Sequence, residues 1–402
     1  MNRGPLSVKD TLKRMKNISS LMVDLGFYSA LYRDEALADG ILRLGSEVNR
    51  LKFNLMMQAG LASRTPEDAE TMISVYQLAI SMGKICDEAQ EIARIDKSDL
   101  SVRFPVGFAS TDSVVCRSSV SQGSWAEGKS LSDVFRQLDT VMNVLLVRRE
   151  GKWVIEPDPK FGLKSGDTLF TVGSLGNLKR FRETVGCAEP APPDESVSEI
   201  HKKVVAWLAR LLSVTDLVVD LAYSALLTSS EDIAKRVVEL EEYTDRILRE
   251  FENDVVSSEQ LLSDEKVALL EIATASERIA DAAREMTDVI LHGLGTHPII
   301  ADVLQESEER MTVIRVSKED SGSRIQDLHY DSYGAAVLAV KRGDEWSVRP
   351  NHGEFRVEEG DLLIVKYFSE SSEIAEFAED LKSEEERERI IDELREEEAG
   401  ES

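Results

Sequence analysis

Apolar residues recur every three or four positions across residues 8–95 and again across 198–291, the period of helices with one buried face. Leu12, Met15, Ile18, Met22 and Leu25 mark a first helix, and Leu37, Ile41, Leu44, Val48, Leu51 and Leu55 a second. A third begins at Thr65-Pro66-Glu67, a cap followed by proline in the first turn, and carries Met72, Val75, Leu78 and Ile85. The plan returns at 198–227, 231–256 and 264–291, with Ser263-Asp-Glu as a cap. Three such helices joined by short turns predict an up-down bundle.

Between these stretches the pattern changes. Val114-Val-Cys116 opens a short strand, Leu131-Ser-Asp-Val-Phe135 reads as a brief helix, and 141–148, 153–155 and 168–172 read as strands before a closing helix at 178–184. Strands are expected again at 311–316, 336–341, 345–348 and 362–367. Short strands with brief helices indicate a small mixed domain. The chain is therefore expected to be α+β and multidomain, two three-helix bundles alternating with two small α+β domains.

The two halves share more than a plan. Val144-Leu-Leu-Val-Arg-Arg149, Trp153 and Pro157 recur at the same spacing as Val337-Leu-Ala-Val-Lys-Arg342, Trp346 and Pro350. Gly166-Asp167 recurs as Gly360-Asp361, one residue later. Upstream, Leu21-Met-Val-Asp24-Leu25 matches Leu217-Val-Val-Asp220-Leu221, and Tyr28-Ser-Ala-Leu31 matches Tyr223-Ser-Ala-Leu226. A repeat of this period implies an internal doubling. The expected boundaries are 1–98 and 197–293 for the bundles, 99–186 and 294–376 for the small domains, 187–196 for a proline-rich linker and 377–402 for an acidic tail.

Charge narrows the partners. A formal charge of −27 over 402 residues would repel nucleic acid rather than steer it in. Cys86, Cys116 and Cys187 have no metal-type spacing and suggest a reducing compartment. Met1-Asn-Arg-Gly-Pro5 lacks a signal core, and no run approaches about 18 apolar residues, so a cytoplasmic location is expected. His201, His292, His297, His329 and His352 form no metal spacing, and neither a Gly-x-Ser-x-Gly elbow nor a Walker-type loop occurs. No enzyme is expected.

The helical unit resembles the PhoU family, a tandem three-helix domain, through Ser276-Glu-Arg-Ile-Ala-Asp281-Ala-Ala-Arg-Glu285 and Glu241-Glu-Tyr-Thr-Asp245-Arg-Ile. The small domain is similar to the C-terminal ligand-binding domain of TrkA-type potassium-uptake regulators, also called RCK-C. That resemblance rests on Gly128-Lys-Ser-Leu131, Val144 to Arg149, Trp153 to Pro157 and Leu163-Lys-Ser-Gly-Asp167; the second copy keeps Gly322, Ile325, Arg342, Trp346, Pro350 and Gly360-Asp361. Together they resemble prokaryotic PhoU–TrkA-C fusion proteins. The Gly-x-Gly-x-x-Gly fold of TrkA proteins is missing, so NAD binding is not carried over.

The PhoU resemblance implies acidic pairs that hold iron or zinc. Glu277 and Asp281 sit four apart, as do Glu241 and Asp245, so each pair shares a helix face. On the third helix that face should point away from the seam of Ile272, Ala275, Ile279, Ala282, Met286 and Val289. Hard cations, or a carboxylate and water cluster of iron or zinc, suit such ligands; outward carboxylates also simply solvate a helix. The first unit departs from the pattern, with Gly45, Asn49 and Gly83 where the second has Glu241, Asp245 and Glu277; only Asp87 survives.

The TrkA-type resemblance implies self-association of the small domains, within or between chains, and a small effector such as a cyclic dinucleotide. Arg148, Arg149, Lys341 and Arg342 are the candidate phosphate ligands, although a basic pair at a strand end equally balances nearby acids. The expected function is a regulatory protein coupling small-ligand or ion sensing to transport of a monoatomic cation, potassium, through a membrane transporter or channel met from the cytosolic side. The alternative is a metal-binding negative regulator of phosphate uptake.

Overall fold

The computed structural model describes residues 7–32, 35–62, 64–95, 114–138, 143–155, 157–173, 175–187, 199–307, 309–330, 335–343, 345–348, 350–368 and 389–391. Most of the proline-rich linker and of the acidic tail lies outside these.

Helices α1 (Val8–Tyr32), α2 (Glu35–Ala62) and α3 (Pro66–Ile95) form one bundle, and α6 (Glu199–Thr228), α7 (Glu231–Ser257) and α8 (Ser263–Leu291) form another. Each closes over the apolar stripe that its sequence announces, from Leu12, Met15 and Leu25 in α1 to Ile272, Ile279 and Met286 in α8. Within the first, Gly26 brings α1 so near α3 that an added Cβ would stand 2.9 Å from the Ala89 carbonyl oxygen.

The bundles join along α3 and α8, their most extensive interface. Helix α8 is therefore buried over a wider arc than one heptad seam: Ala273, Ser276, Ala280, Ala283 and Thr287 are covered as well. Small side chains let the backbones approach closely. Polar ties rim the interface: Lys84 donates to Glu285 at 2.7 Å, Gln77 to the Glu285 carbonyl at 3.0 Å, and Arg278 lies 3.5 Å from Glu88. The Ala206–Thr228 stretch of α6 is long and apolar enough to cross a membrane by length and composition, but it is mostly buried here as a core helix.

Each small domain holds a four-stranded antiparallel sheet. Strands β1 (Val114–Ser119), β2 (Asn143–Arg149), β3 (Lys152–Ile155) and β4 (Thr168–Gly173) lie in the order β1-β4-β2-β3. Strands β5 (Glu309–Arg315), β6 (Ala335–Arg342), β7 (Glu345–Val348) and β8 (Leu362–Phe368) repeat it as β5-β8-β6-β7. The first domain adds α4 (Leu131–Leu138) and α5 (Leu175–Thr184); in the second a short 3-10 turn, Ile325–Leu328, follows the bridge that matches the one before α4.

Alternation along the strands gives each sheet two apolar faces. Val144, Val147 and Leu169 face the domain's own core, whereas Leu145, Leu146 and Phe170 join the bundle core. The second sheet divides likewise, with Val337, Val340 and Leu363 inward and Leu338, Ala339 and Ile364 toward the bundles. A bulge falls at the same place in both copies, between Val144 and Leu146 and between Val337 and Ala339. That extra residue lets two consecutive side chains face the bundle.

One element is absent from the sequence expectation. Residues 293–298 read as a connector, yet Pro298 opens α9 (Ile299–Glu306), where its fixed φ and missing N–H cost nothing. Helix α9 buries Ile300, Val303 and Leu304 and lies along α1, with Lys9 paired to Asp302 at 3.1 Å and Glu306 at 2.8 Å. His297 is tied in at its start: its Nδ1 accepts from the Ile299 amide at 3.1 Å and its own amide donates to Ser74. Part of the tail also folds back, since Ile390 and Ile391 are buried in the bundle core.

Candidate functional site

The sheet-end arginines have partners inside their own domains. Gly166, at a φ of 86°, turns the chain into β4 and leaves Asp167 buried. Arg149 grips that carboxylate with both prongs, Nε to Oδ1 at 2.7 Å and Nη2 to Oδ2 at 2.6 Å, and donates to the Gly162 carbonyl at 2.6 Å. Arg342 repeats this on Asp361 at 2.9 and 2.7 Å and on the Arg356 carbonyl at 2.7 Å. Each Asp also accepts a backbone amide, from Lys164 or Glu358, at 2.8 Å. The recurrent Gly-Asp pair is thus a turn and an arginine anchor together. Arg149 and Arg342 close the loop ahead of the last strand, and the fork that would meet a phosphate is engaged by a carboxylate. Arg148 lies over the Trp153 ring at 5.7 Å and Lys341 over Trp346 at 5.9 Å.

The four carboxylates of the second bundle do converge, but not on an open outer face. Glu241, Asp245, Glu277 and Asp281 sit half-buried between α7 and α8. Burial, then a hydrogen bond with Asp281 and the nearby charges, pushes Glu241 up to about 7. Glu277 is raised by burial, Asp281 and Asp245. Among the described residues no group of three or more His, Cys, Asp or Glu is placed to hold a metal ion. The four carboxylates face one another between the helices, and among the described residues they do not form a chelating set for iron or zinc.

In the first bundle the corresponding space is filled from within. An added Cβ at Gly45 would stand 2.1 Å from the Gln90 amide carbon, and one at Gly83 2.9 Å from Lys52 Nζ. Glycine here makes room for an amide and an ammonium, and Gln90 and Asn49 both donate to Asp87 at 3.3 Å.

The third group escaped the sequence reading as a site. Lys16 is wholly buried on α1 and donates to the Glu309 carboxylate and carbonyl, both at 2.8 Å. Lys366 on β8 donates to Asp220 on α6 at 2.6 Å and lies 3.2 Å from Glu309. Asp24 on α1 and Asp216 on α6 face the same cluster. Ser19 and Tyr223 hydrogen-bond across α1 and α6 at 3.2 Å beside it. Two lysines therefore meet four carboxylates where both bundles and the second sheet come together. Burial, then Glu309, pushes Asp24 up to about 7, and burial with Asp24 carries Asp216 well above the usual range. Burial would raise Glu309 too, but Lys16 and Lys366 outweigh it and hold it low. Burial would lower Lys366, yet Asp220 and Glu309 raise it. The signal was present: Asp216, Asp220 and Lys366 interrupt otherwise apolar runs, where a charge persists only if paired.

Comparison with known proteins follows this division. The PhoU domain model matches residues 12–95 and 208–290, and the TrkA-C domain model matches 117–186. No curated protein matches. Among solved structures, PhoU from Pseudomonas aeruginosa is 14% identical at a TM-score of 0.39, with 71% of this chain and 96% of that chain covered. The GsuK RCK domain is 12% identical at 0.17, covering 66% and 63%, and the GsuK channel bound to NAD is 14% identical at 0.17, covering 64% and 51%. These last likenesses span little more than half of those chains and assign no residue roles. PhoU and TrkA-C domains are regulatory domains. With its second small domain repeating the strand order of the first, the chain is a fusion of PhoU and TrkA-C domains.

Proposed function

We propose that this is a cytoplasmic, non-catalytic accessory protein that couples recognition of a small ligand or ion to transmembrane transport of a monoatomic cation, potassium. It would meet the transporter or channel from the cytosolic side. The observation that carries this reading is the buried charge junction, in which Glu309 and Lys366 of the second sheet hold α1 of one bundle and α6 of the other. A sheet domain tied so to both bundles cannot shift without reordering their contacts. A ligand that prefers one docking arrangement would bias the other surfaces accordingly. Converting the arrangement nearly completely would require about a 10⁴-fold preference.

Potassium flux into membrane vesicles from the source cells, measured with and without the purified chain, tests the reading. A flux that responds to the wild type and loses ligand control in Lys366→Met supports it. Unchanged potassium flux together with altered phosphate uptake would replace it with the phosphate-regulator reading. That alternative would need a chelating set, which the acidic groove of α7 and α8 does not supply among the described residues.

A further inference from the structure

Among the described residues, every large apolar side chain left exposed except Trp125 lies at one of two hairpin ends. One is where α2 turns into α3, the other where α7 turns into α8. At the first, Phe53, Met57 and Leu61 step along one face of α2 and are 64%, 61% and 84% exposed. At the second, Val256, Leu262 and Val267 stand out in the same way. The repeat does not impose this. With Gly45 aligned to Glu241, positions 53, 57 and 61 answer to Arg249, Asn253 and Ser257. Grouped exposed apolar side chains rimmed by charge mark interaction surfaces.

The two ends carry opposite charge. Residues 48–66 contain Arg50, Lys52 and Arg64 and no Asp or Glu; acids return at Glu67, on α3. Arg50 and Arg64 are exposed, and the Lys52 ammonium lies 6.0 Å from the centre of the Phe53 ring. Residues 250–265 instead contain six acids and no Lys or Arg. Asp254 is held by Lys203 and Glu265 accepts the Leu262 amide, while Glu250, Glu259 and Asp264 are exposed. The ends also lie apart. Ser74, early in α3, accepts the amide of His297 beyond the end of α8, whereas Glu88, later in α3, meets Arg278 within α8. The two helices therefore run antiparallel, which puts the hairpin ends at opposite extremes of the joined bundles.

We propose that these ends bind each other between copies of this chain, the basic end of one molecule against the acidic end of the next. Pairing like ends would set arginine against arginine, or carboxylate against carboxylate. Unlike ends cover apolar surface and join opposite charges together, in a chain whose net charge of −27 otherwise keeps copies apart. Because the two surfaces differ, the contact is heterologous, and repeating it builds a series or a ring. It uses the helical bundles alone, so it is separate from the self-association that the TrkA-type resemblance implies for the small domains, and it does not rest on the transport reading.

Sedimentation velocity of the full chain over a range of concentrations tests the contact. The wild type should associate with a Kd of about 1–100 μM, and raising the salt from about 50 to about 300 mM should weaken it severalfold. The double variants F53D/L61D and V256K/L262K each disable one end at exposed positions. Either alone should lose the association at least about tenfold. Their equimolar mixture should recover a one-to-one complex, since each variant supplies the end that the other lacks. The milder L61S and L262S should repeat the pattern to a smaller degree, even if a double variant fails to fold. A wild type that does not associate, association that either double variant keeps in full by itself, or a mixture of folded variants that stays apart would overturn the proposal. So would a wild type that remains single yet floats with phosphatidylglycerol vesicles, which would give the basic end to a lipid surface.

Discussion

Replacing Lys366 with methionine probes the junction most directly, because the apolar stem stays while the charge goes. The ammonium lies 2.6 Å from Asp220 and 3.2 Å from Glu309, and the three side chains are 19%, 11% and 14% exposed, so water screens little of what is lost. Removing one partner of a buried ion pair costs about 3–5 kcal/mol, since the remaining charge stays unpaired. Lys16 still holds Glu309, which places the effect near the lower end, about 3 kcal/mol. At about 2.1 cal/mol/K per residue, unfolding all 402 residues as one unit would carry an entropy of about 0.8 kcal/mol/K, so Tm should fall by about 4 °C at pH 8. The deficit should depend on pH. Lys366 opposes the upward shift of Asp24, Asp216 and Asp220, so its loss raises their folded-state pKa values further. A carboxyl whose pKa is raised by folding loses stability as pH climbs from its unfolded value through its folded one. For Asp24 in the wild type that window runs from 3.8 to about 7. The variant should therefore approach the wild type at pH 5 and fall furthest behind at pH 8. Calorimetric melts of both proteins across this range decide the matter. A loss below about 1 °C at pH 8, or one that does not change with pH, refutes the reasoning.

Asp24→Asn should raise Tm at pH 8, where ionising the buried carboxyl works against folding, and the gain should shrink as pH falls below about 7 and vanish only below 3.8; the same melts read it out. Glu241→Gln should behave likewise around pH 7, independently of the junction. Arg149→Met should cost about 2–3 kcal/mol, because Asp167 stays buried while the arginine is partly wet, and faster amide exchange confined to β2 and β4 would register it. Gly26→Ala should destabilise by about 1–3 kcal/mol despite the better helix former, since its Cβ meets a backbone oxygen; an unchanged denaturant midpoint would contradict the close packing of α1 on α3.

The helices were legible because each long one carries a stripe that survives burial on one side, as Leu12, Met15 and Leu25 do in α1. The strands were legible from Val144 to Arg149 and its echo at Val337 to Arg342, which the two sheets realise in the same order. Helix α9 was not, because Gly293, Gly295 and Pro298 read as breakers, whereas only the glycines break and the proline begins the next turn. The width of the α8 interface was hidden by alanine, too small to mark a seam yet suited to close contact with α3. Of the candidate sites, the acidic pairs came with the PhoU resemblance, but their half-buried setting depends on how α7 meets α8. The role of Arg149 turned on Asp167, which only the turn at Gly166 brings into reach. The charge junction draws on α1, α6, β5 and β8, segments far apart along the chain, and no local spacing could have assembled it.

Gly45 and Gly83, filled by Gln90 and Lys52, show one bundle carrying its own cation on a tether where its sibling keeps an acidic groove. Two identical subunits could not have parted ways like this, for any change in one would have appeared in both. Joining the copies in a single polypeptide fixes their ratio at one to one and frees each to drift toward a different task.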